Sequence, residues 1–412
     1  MSQSFSSNVI ANGVLQVLNY AFPLVALPFL TWVLSPETFG ALNYFSFLVG
    51  YFSLFVVFGM EYSATREVVR KVQNGEDLTE FYSQVMSAKV HLLGAATLVY
   101  VAVLFLLPDV NHFWPIAIST YTITLGFALS PVWLFMGLKK MGAIILPHAV
   151  PKIVLLASVF YLVKTDADAF YYPLALGLST LLGHGASWGL VEKKLGIKFN
   201  WKSWQISKAV ISEGRFAFGV TVLAVMLQTG GVLVLERFSD FATVGGFSLG
   251  WRLMNIIQVL IMVPVYQALF PMVGEHLAAQ TWTVRQTLRM VLPRIFGLLA
   301  VMLLAGYLGL PWVLDSFFGS QYAWSFEVFV SLIPFVFVNA LNQLIGVQIL
   351  LHVGHDRTVF YLYVVGVLTM VGTSWLLIPA IGWLGTSLAL FAAEVVLAFC
   401  FWRVLQKANL HN

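Results

Sequence analysis

Charge is what this sequence lacks. Lys, Arg, Asp and Glu make up 10% of its 412 residues and hydrophobic residues 59%, whereas soluble globular domains carry about 25% charge. So little charge cannot coat a water-soluble particle of this size, and the chain is read as an integral membrane protein. Cysteine is nearly absent as well. The single Cys400 excludes a disulfide within the chain and any cysteine-based metal site. No G-x-x-x-x-G-K-[ST] run occurs, which excludes an ATP-driven pump within this chain, and no H-E-x-x-H run supplies a zinc site. Catalytic residues, metal ligands and cofactors are accordingly not expected.

What the chain has in quantity is apolar runs. A helix crosses the hydrocarbon with roughly 20 residues, and twelve such runs fall near 9–34, 39–62, 83–107, 112–137, 142–163, 170–191, 212–236, 242–272, 290–310, 323–351, 358–378 and 382–402. They lack the alternation of barrel strands, so an all-α polytopic bundle is expected. The polar segment Glu192 to Lys208 divides the spans six and six. This gives an N-terminal lobe over 1–191, a linker over 192–211 and a C-terminal lobe over 212–412. Trp201 and Trp204 between lysines suit a linker lying along the headgroups. Thr38-Phe39-Gly40-Ala41, opening span two, has a counterpart in Thr243-Val244-Gly245-Gly246, opening span eight. Six being even, repeats of this kind run parallel, as a pseudo-two-fold pair about the membrane normal.

The cations orient the molecule. Of 22 Lys and Arg residues, 18 fall on one side of this topology, from Arg66 and Lys89 through Arg215 to Lys407, and only Lys164 and Arg237 on the other. The rich side is cytoplasmic by the positive-inside rule, which places both termini there. The net charge of +4 reflects that rim and suits anionic lipid rather than nucleic acid. Met1 to Ser7 carries no cation and no small-residue cleavage site follows, so no removable signal peptide is expected.

Lys152 and Arg252 fall inside spans, where a cation costs about 2.5–3.5 kcal/mol and marks a functional candidate. Ser248, Arg252 and Asn255 share a helix face. Asn8, Asn12, Gln16 and Asn19, four, four and three residues apart, form a stripe on span one that must face helices or a wet cavity. Asn339, Asn342 and Gln343 make a similar face in span ten. Glu61, near the inner end of span two, and Glu394, midway through span twelve, are coupling or ion-pair candidates, a static ion pair being the simpler expectation for Glu394.

Leu27-Pro28-Phe29-Leu30-Thr31-Trp32-Val33-Leu34-Ser35-Pro36-Glu37-Thr38-Phe39-Gly40, then Phe58-Gly59-Met60-Glu61-Tyr62-Ser63-Ala64-Thr65-Arg66-Glu67, then Trp133-Leu134-Phe135-Met136-Gly137-Leu138-Lys139-Lys140-Met141 resemble bacterial polysaccharide flippases. These are the O-antigen (Wzx-type) translocases of the multidrug/oligosaccharidyl-lipid/polysaccharide exporter (MOP) superfamily. Val244-Gly245-Gly246-Phe247-Ser248-Leu249 and Ala268-Leu269-Phe270-Pro271 continue the likeness. Relatives often carry an acidic residue where this chain has Ser130-Pro131-Val132, and another where it has Gly230-Gly231.

The resemblance implies a MATE-like fold of two six-helix lobes in the bacterial inner membrane. It also implies transport, by alternating access, of an undecaprenyl-pyrophosphate-linked oligosaccharide from the cytoplasmic to the periplasmic leaflet. In that task Arg252 would meet the anionic headgroup, and Asn255 on the same face would be a further substrate-binding residue. Lys152, Arg66 and Arg215 would assist nearer the cytoplasmic mouth, and the Asn8/Asn12/Gln16/Asn19 stripe would face the sugars. Membrane lipids, a proton or Na+ as coupling ion, and polysaccharide polymerase machinery complete the expected partners.

Two rivals share parts of the pattern. A multidrug/cation antiporter has the same architecture, but its cavity should be dominated by carboxylates. A polytopic glycosyltransferase or polysaccharide polymerase could use Asp166-Ala167-Asp168, yet the loop carrying that sequence is far too short for an active site and reads as a solvated turn.

Overall fold

The computed structural model describes residues 25–106, 112–278, 284–350 and 355–407. Asn8, Asn12, Gln16 and Asn19 lie outside the described residues, as does most of span one. Among the described residues all regular structure is helical, and eleven segments are long and apolar enough to cross a membrane. They answer to spans two to twelve. Leu98, Phe105 and Leu308 are 76%, 74% and 70% exposed, a pattern suited to helices surrounded by lipid.

The chain divides into two compact units, Met1–Phe218 and Gly219–Asn412. The first holds α1 (25–33), α2 (Pro36–Val57), α3 (Met60–Gln73), α4 (Thr79–Leu106), α5 (Trp114–Ala128), α6 (Val132–Gly137), α7 (Ile145–Leu162), α8 (Tyr171–Leu195) and the start of α9 (Trp204–Phe238). The second holds the rest of α9, then α10 (Phe241–Ala278), α11 (Val284–Phe317), α12 (Ser325–Asn342), α13 (Asp356–Ile381) and α14 (Trp383–Lys407). A π-helix, Gln343–Leu350, continues α12. The pairings of the long helices correspond between the units. In the first unit α2 packs on α4 and α5, α4 on α5, α5 on α8, and α7 on α8; in the second α10 packs on α11 and α12, α11 on α12, α12 on α14, and α13 on α14.

Local chemistry sets the helix ends. Ser35 caps α2 by accepting from the Thr38 N–H, and Pro36 fills its first turn, where a missing N–H costs nothing. The Ser35 N–H donates to Asp166 Oδ1 at 2.8 Å, while Asp168 Oδ2 accepts from the Thr165 N–H at 3.1 Å. The Asp166-Ala167-Asp168 carboxylates thus serve as caps at a turn.

Span two, placed to residue 62 from hydropathy, ends earlier. The helix stops at Val57, and Phe58 and Gly59 turn left-handed with φ of 46° and 65°. Glu61 therefore lies in the first turn of α3, an amphipathic helix, rather than inside a span. Gly59 is needed twice over: a Cβ there would strain the left-handed backbone and sit 3.1 Å from the Phe218 backbone nitrogen. Phe58 stacks on the Phe218 ring with centroids 3.9 Å apart.

Span four also differs from a single rod. It breaks between α5 and α6 at Leu129-Ser130-Pro131, because Pro131 has no N–H to continue the ladder. The Leu134 N–H bonds the Pro131 carbonyl instead of that of Ser130.

The central linker is shorter than its polar composition suggests, since α8 runs to Leu195 and α9 begins at Trp204. Ser83, Ser87 and His91, four residues apart on α4, receive it. Ser83 Oγ accepts from the Asn200 N–H at 3.0 Å and Ser87 Oγ from the Lys202 N–H at 2.9 Å. His91 Nδ1 lies 3.0 Å from Ser207 Oγ, with the Trp201 ring centroid 4.7 Å from its own. Trp201 and Trp204 nonetheless stay 57% and 50% exposed, as interfacial aromatics do.

Candidate functional site

The largest departure from expectation is Lys89. Counted with the cytoplasmic rim, it lies ten residues into α4, about 15 Å along the axis, and is 1% exposed. Its Nζ donates to the Ser130 carbonyl at 2.8 Å, the acceptor orphaned by the Pro131 break. Glu61 is its electrostatic partner.

Lys152, on α7, is half-buried and stands within electrostatic reach of His148 and His184. The two imidazoles meet edge to face with centroids 4.6 Å apart. Ser187 Oγ donates to the Gly183 carbonyl at 2.8 Å and lies 3.2 Å from His148 Nε2; the hydrogen shared with the ring therefore belongs to the histidine. His184 is 6% exposed, and its Nδ1 has no hydrogen-bond partner among the described residues. Sequence inspection missed both histidines. They lie 36 residues apart on neighbouring helices, with no local motif to announce them. Arg66 on α3 and Arg215 on α9 are exposed, where topology alone would place a cation.

In the second unit Arg252 and Asn255 occupy α10, both half-buried. A polar chain continues from Gln258 on the same helix. Gln258 Nε2 donates to Asn339 Oδ1 at 2.6 Å, and Asn339 Nδ2 donates to Glu394 Oε1 at 2.7 Å. Asn342 Nδ2 donates to Glu394 Oε2 at 2.6 Å and to the Glu394 carbonyl at 2.8 Å. Glu394, 1% exposed, was expected to pair with a cation; among the described residues none lies within ion-pair distance, and two amides take that place. Asn339 and Asn342 on α12 donate to both oxygens of the carboxylate, so hydrogen bonds rather than a cation satisfy it.

Among the described residues the membrane helices of the first unit thus hold cations at Lys89 and Lys152, and those of the second a cation at Arg252 and a buried carboxylate at Glu394. A half-buried cation such as Lys152 or Arg252 can meet an anion, and side-chain amides can hydrogen-bond neutral hydroxyls.

A family model described as "Polysaccharide biosynthesis protein" matches residues 5–276. A protein of Escherichia coli (strain K12) named "Putative O-antigen transporter" is 24% identical over 357 residues, covering 84% of each chain. One of the same name from Shigella dysenteriae is 25% identical over 402 residues, covering 95% of this chain and 97% of its own. Among solved structures, the lipid II flippase MurJ in an inward closed conformation superposes with a TM-score of 0.69 at 12% identity, covering 97% of this chain and 87% of that one. An inward-facing MATE-family multidrug transporter of the MOP superfamily gives 0.68 at 15% identity, covering 97% and 98%. The fold is that of these transporters.

Proposed function

The chain belongs to the polysaccharide biosynthesis protein family, and from that premise we propose that it is a flippase for an undecaprenyl-pyrophosphate-linked oligosaccharide, an O-antigen or similar surface polysaccharide unit. It carries that lipid from the cytoplasmic to the periplasmic leaflet of the bacterial inner membrane by alternating access, with both termini cytoplasmic. The relatives named for O-antigen transport support this cargo, as does the MurJ likeness in fold.

The observation that carries the reading is Arg252, a half-buried cation eleven residues into a membrane-crossing helix. A pyrophosphate must leave water to cross the hydrocarbon, and a guanidinium at depth offsets its desolvation while Asn255 bonds adjoining oxygens. Lys152 adds positive potential in the other unit, and Arg66 and Arg215 capture the headgroup from the cytoplasm. The sugars face the amides Asn8, Asn12, Gln16 and Asn19. We take 1–191 and 212–412 as the moving lobes, 192–211 as their joint, and Glu61 and Glu394 as the coupling groups for a proton or Na+. Polysaccharide polymerase machinery receives the cargo.

Liposomes holding the purified protein and a fluorescent undecaprenyl-pyrophosphate oligosaccharide test this. Protein-dependent acceleration of its accessibility to an impermeant quencher is expected, and a response to a proton or Na+ gradient would identify the coupling ion. No acceleration by folded protein under any gradient would transfer the reading to multidrug/cation antiport, which Glu394 would then serve.

A further inference from the structure

The unit Gly219–Asn412 carries a groove that the polar chain above does not enter. Its volume is about 630 Å3, and it runs between α11, the junction of α12 with its π-helix, and α14. Leu292, Leu341, Ile345, Ala398 and Trp402 line it, and Arg289 is the one charged residue among the lining side chains. Several sequence choices combine to make the hollow. The π-helix begins at Gln343, between Leu341 and Ile345, so the groove wall spans a turn wider than an α-turn. Ala398 leaves open a position that a larger side chain on α14 would fill. Pro293 interrupts the α11 ladder one turn beyond Arg289, since it has no N–H for the Arg289 carbonyl.

We propose that this groove is a lipid-binding site, taking one hydrocarbon chain of an anionic phospholipid with the lipid phosphate on Arg289. Apart from Arg289 and the Trp402 indole at its mouth, the lining side chains are apolar and offer nothing to the hydroxyls of a sugar, which leaves a chain of methylenes as the occupant, and a volume of this order suits a small amphiphile. Apolar walls alone select nothing in a bilayer, because lipid tails are as apolar as leucine. Selection falls to the guanidinium, whose planar fork matches a phosphate in two bonds. Arg289 is exposed at the end of the unit where Arg294, Arg357 and Arg403 also stand exposed, a potential that attracts anionic headgroups. Arg403 is held aside, its guanidinium carbon 5.0 Å from the Phe399 ring centroid. Arg289 is thus the cation that meets the groove. The site runs from buried Ile345, 2% exposed, to Trp402, 44% exposed, so a chain can enter it sideways from the bilayer.

The test uses the full chain in phosphatidylcholine liposomes with a phosphatidylglycerol probe bearing a photoactivatable diazirine near one chain end. Cross-links should concentrate on peptides containing Leu341–Ile345 and Ala398–Trp402. Unlabelled phosphatidylglycerol should compete roughly tenfold better than phosphatidylcholine, the scale of one lost ionic contact, and Arg289→Gln should bring that ratio near one. Ala398→Trp should lower groove labelling several-fold for either lipid. Ala398→Leu repeats the test if the larger side chain prevents folding, as judged by gel filtration. Labelling spread evenly over the lipid-facing helices, equal competition by the two lipids, or full labelling of a folded Ala398 variant would each overturn the site.

Discussion

Replacing Lys89 with methionine keeps the length of the side chain and removes its charge and its donor. Two groups then lose a partner. The carbonyl of Ser130, a residue 1% exposed, is left unsatisfied at a cost of about 1–3 kcal/mol. Glu61 loses a cation that stands beyond ion-pair distance but within Coulombic reach, a smaller loss than the cost of about 3–5 kcal/mol for a broken contacting pair. Because Glu61 is half-buried by surface area, water relieves part of that loss, and about 3 kcal/mol is the expected total. That equals a shift of roughly a hundredfold in the folded-to-unfolded ratio. Reversible unfolding by SDS in mixed micelles, followed by tryptophan fluorescence, measures it. The cause is tested in the Pro131→Ala background, where the helix can close across residues 129–131 and the Leu134 N–H can reach the Ser130 carbonyl. There the cost of Lys89→Met should fall by about 1 kcal/mol or more. A cost below about 0.5 kcal/mol in the native background, within the range of ordinary surface changes, would refute the assignment of Lys89 to the helix break. So would an unchanged cost in the proline variant.

Arg252→Ala, with normal membrane expression, should abolish oligosaccharide flipping in liposomes while Arg252→Lys retains part of it; full transport by the alanine variant would remove Arg252 from the mechanism. Gly59→Ala should destabilise by about 1–2 kcal/mol from the left-handed backbone alone, with the approach to Phe218 adding to it, as read by the same SDS titration. Ser83→Ala combined with Ser87→Ala removes two acceptors worth about 1 kcal/mol each. Amide exchange at Asn200 and Lys202 should then quicken roughly fivefold per bond; unchanged protection would mean that the linker is held by its tryptophans instead.

Spans two to twelve were legible because a run of about twenty apolar residues has one stable fate in lipid. Helix ends were less so, and the error at one end hid a buried lysine. Placing span three at 83 rather than Thr79 put Lys89 close enough to the rim to pass as a topology signal; four further residues of helix bury it. The break in span four was visible as Ser130-Pro131, but its consequence needed the lysine on another helix. Asn339 and Asn342 announced a polar face through their spacing, while Glu394, more than fifty residues on, could be matched to them only through the packing of α12 on α14. His148 and His184 had no signature at all, since single histidines in apolar helices look alike until a neighbour is known.

The matching helix pairings of the two units have a further consequence, in their history. The α5–α8 contact is made by close backbone approach: a Cβ at Gly126 would lie 2.8 Å from the Leu181 nitrogen, and one at Gly177 would overlap the Thr122 side chain. Its counterpart, α12–α14, is joined by the Asn339 and Asn342 amides on Glu394. One copy of the joint is closed by glycines; the other holds a carboxylate between two amides. A scaffold that holds the same joint twice lets mutation explore one version while the other preserves the fold, and the divergence of these two seams is the imprint such a duplication would leave.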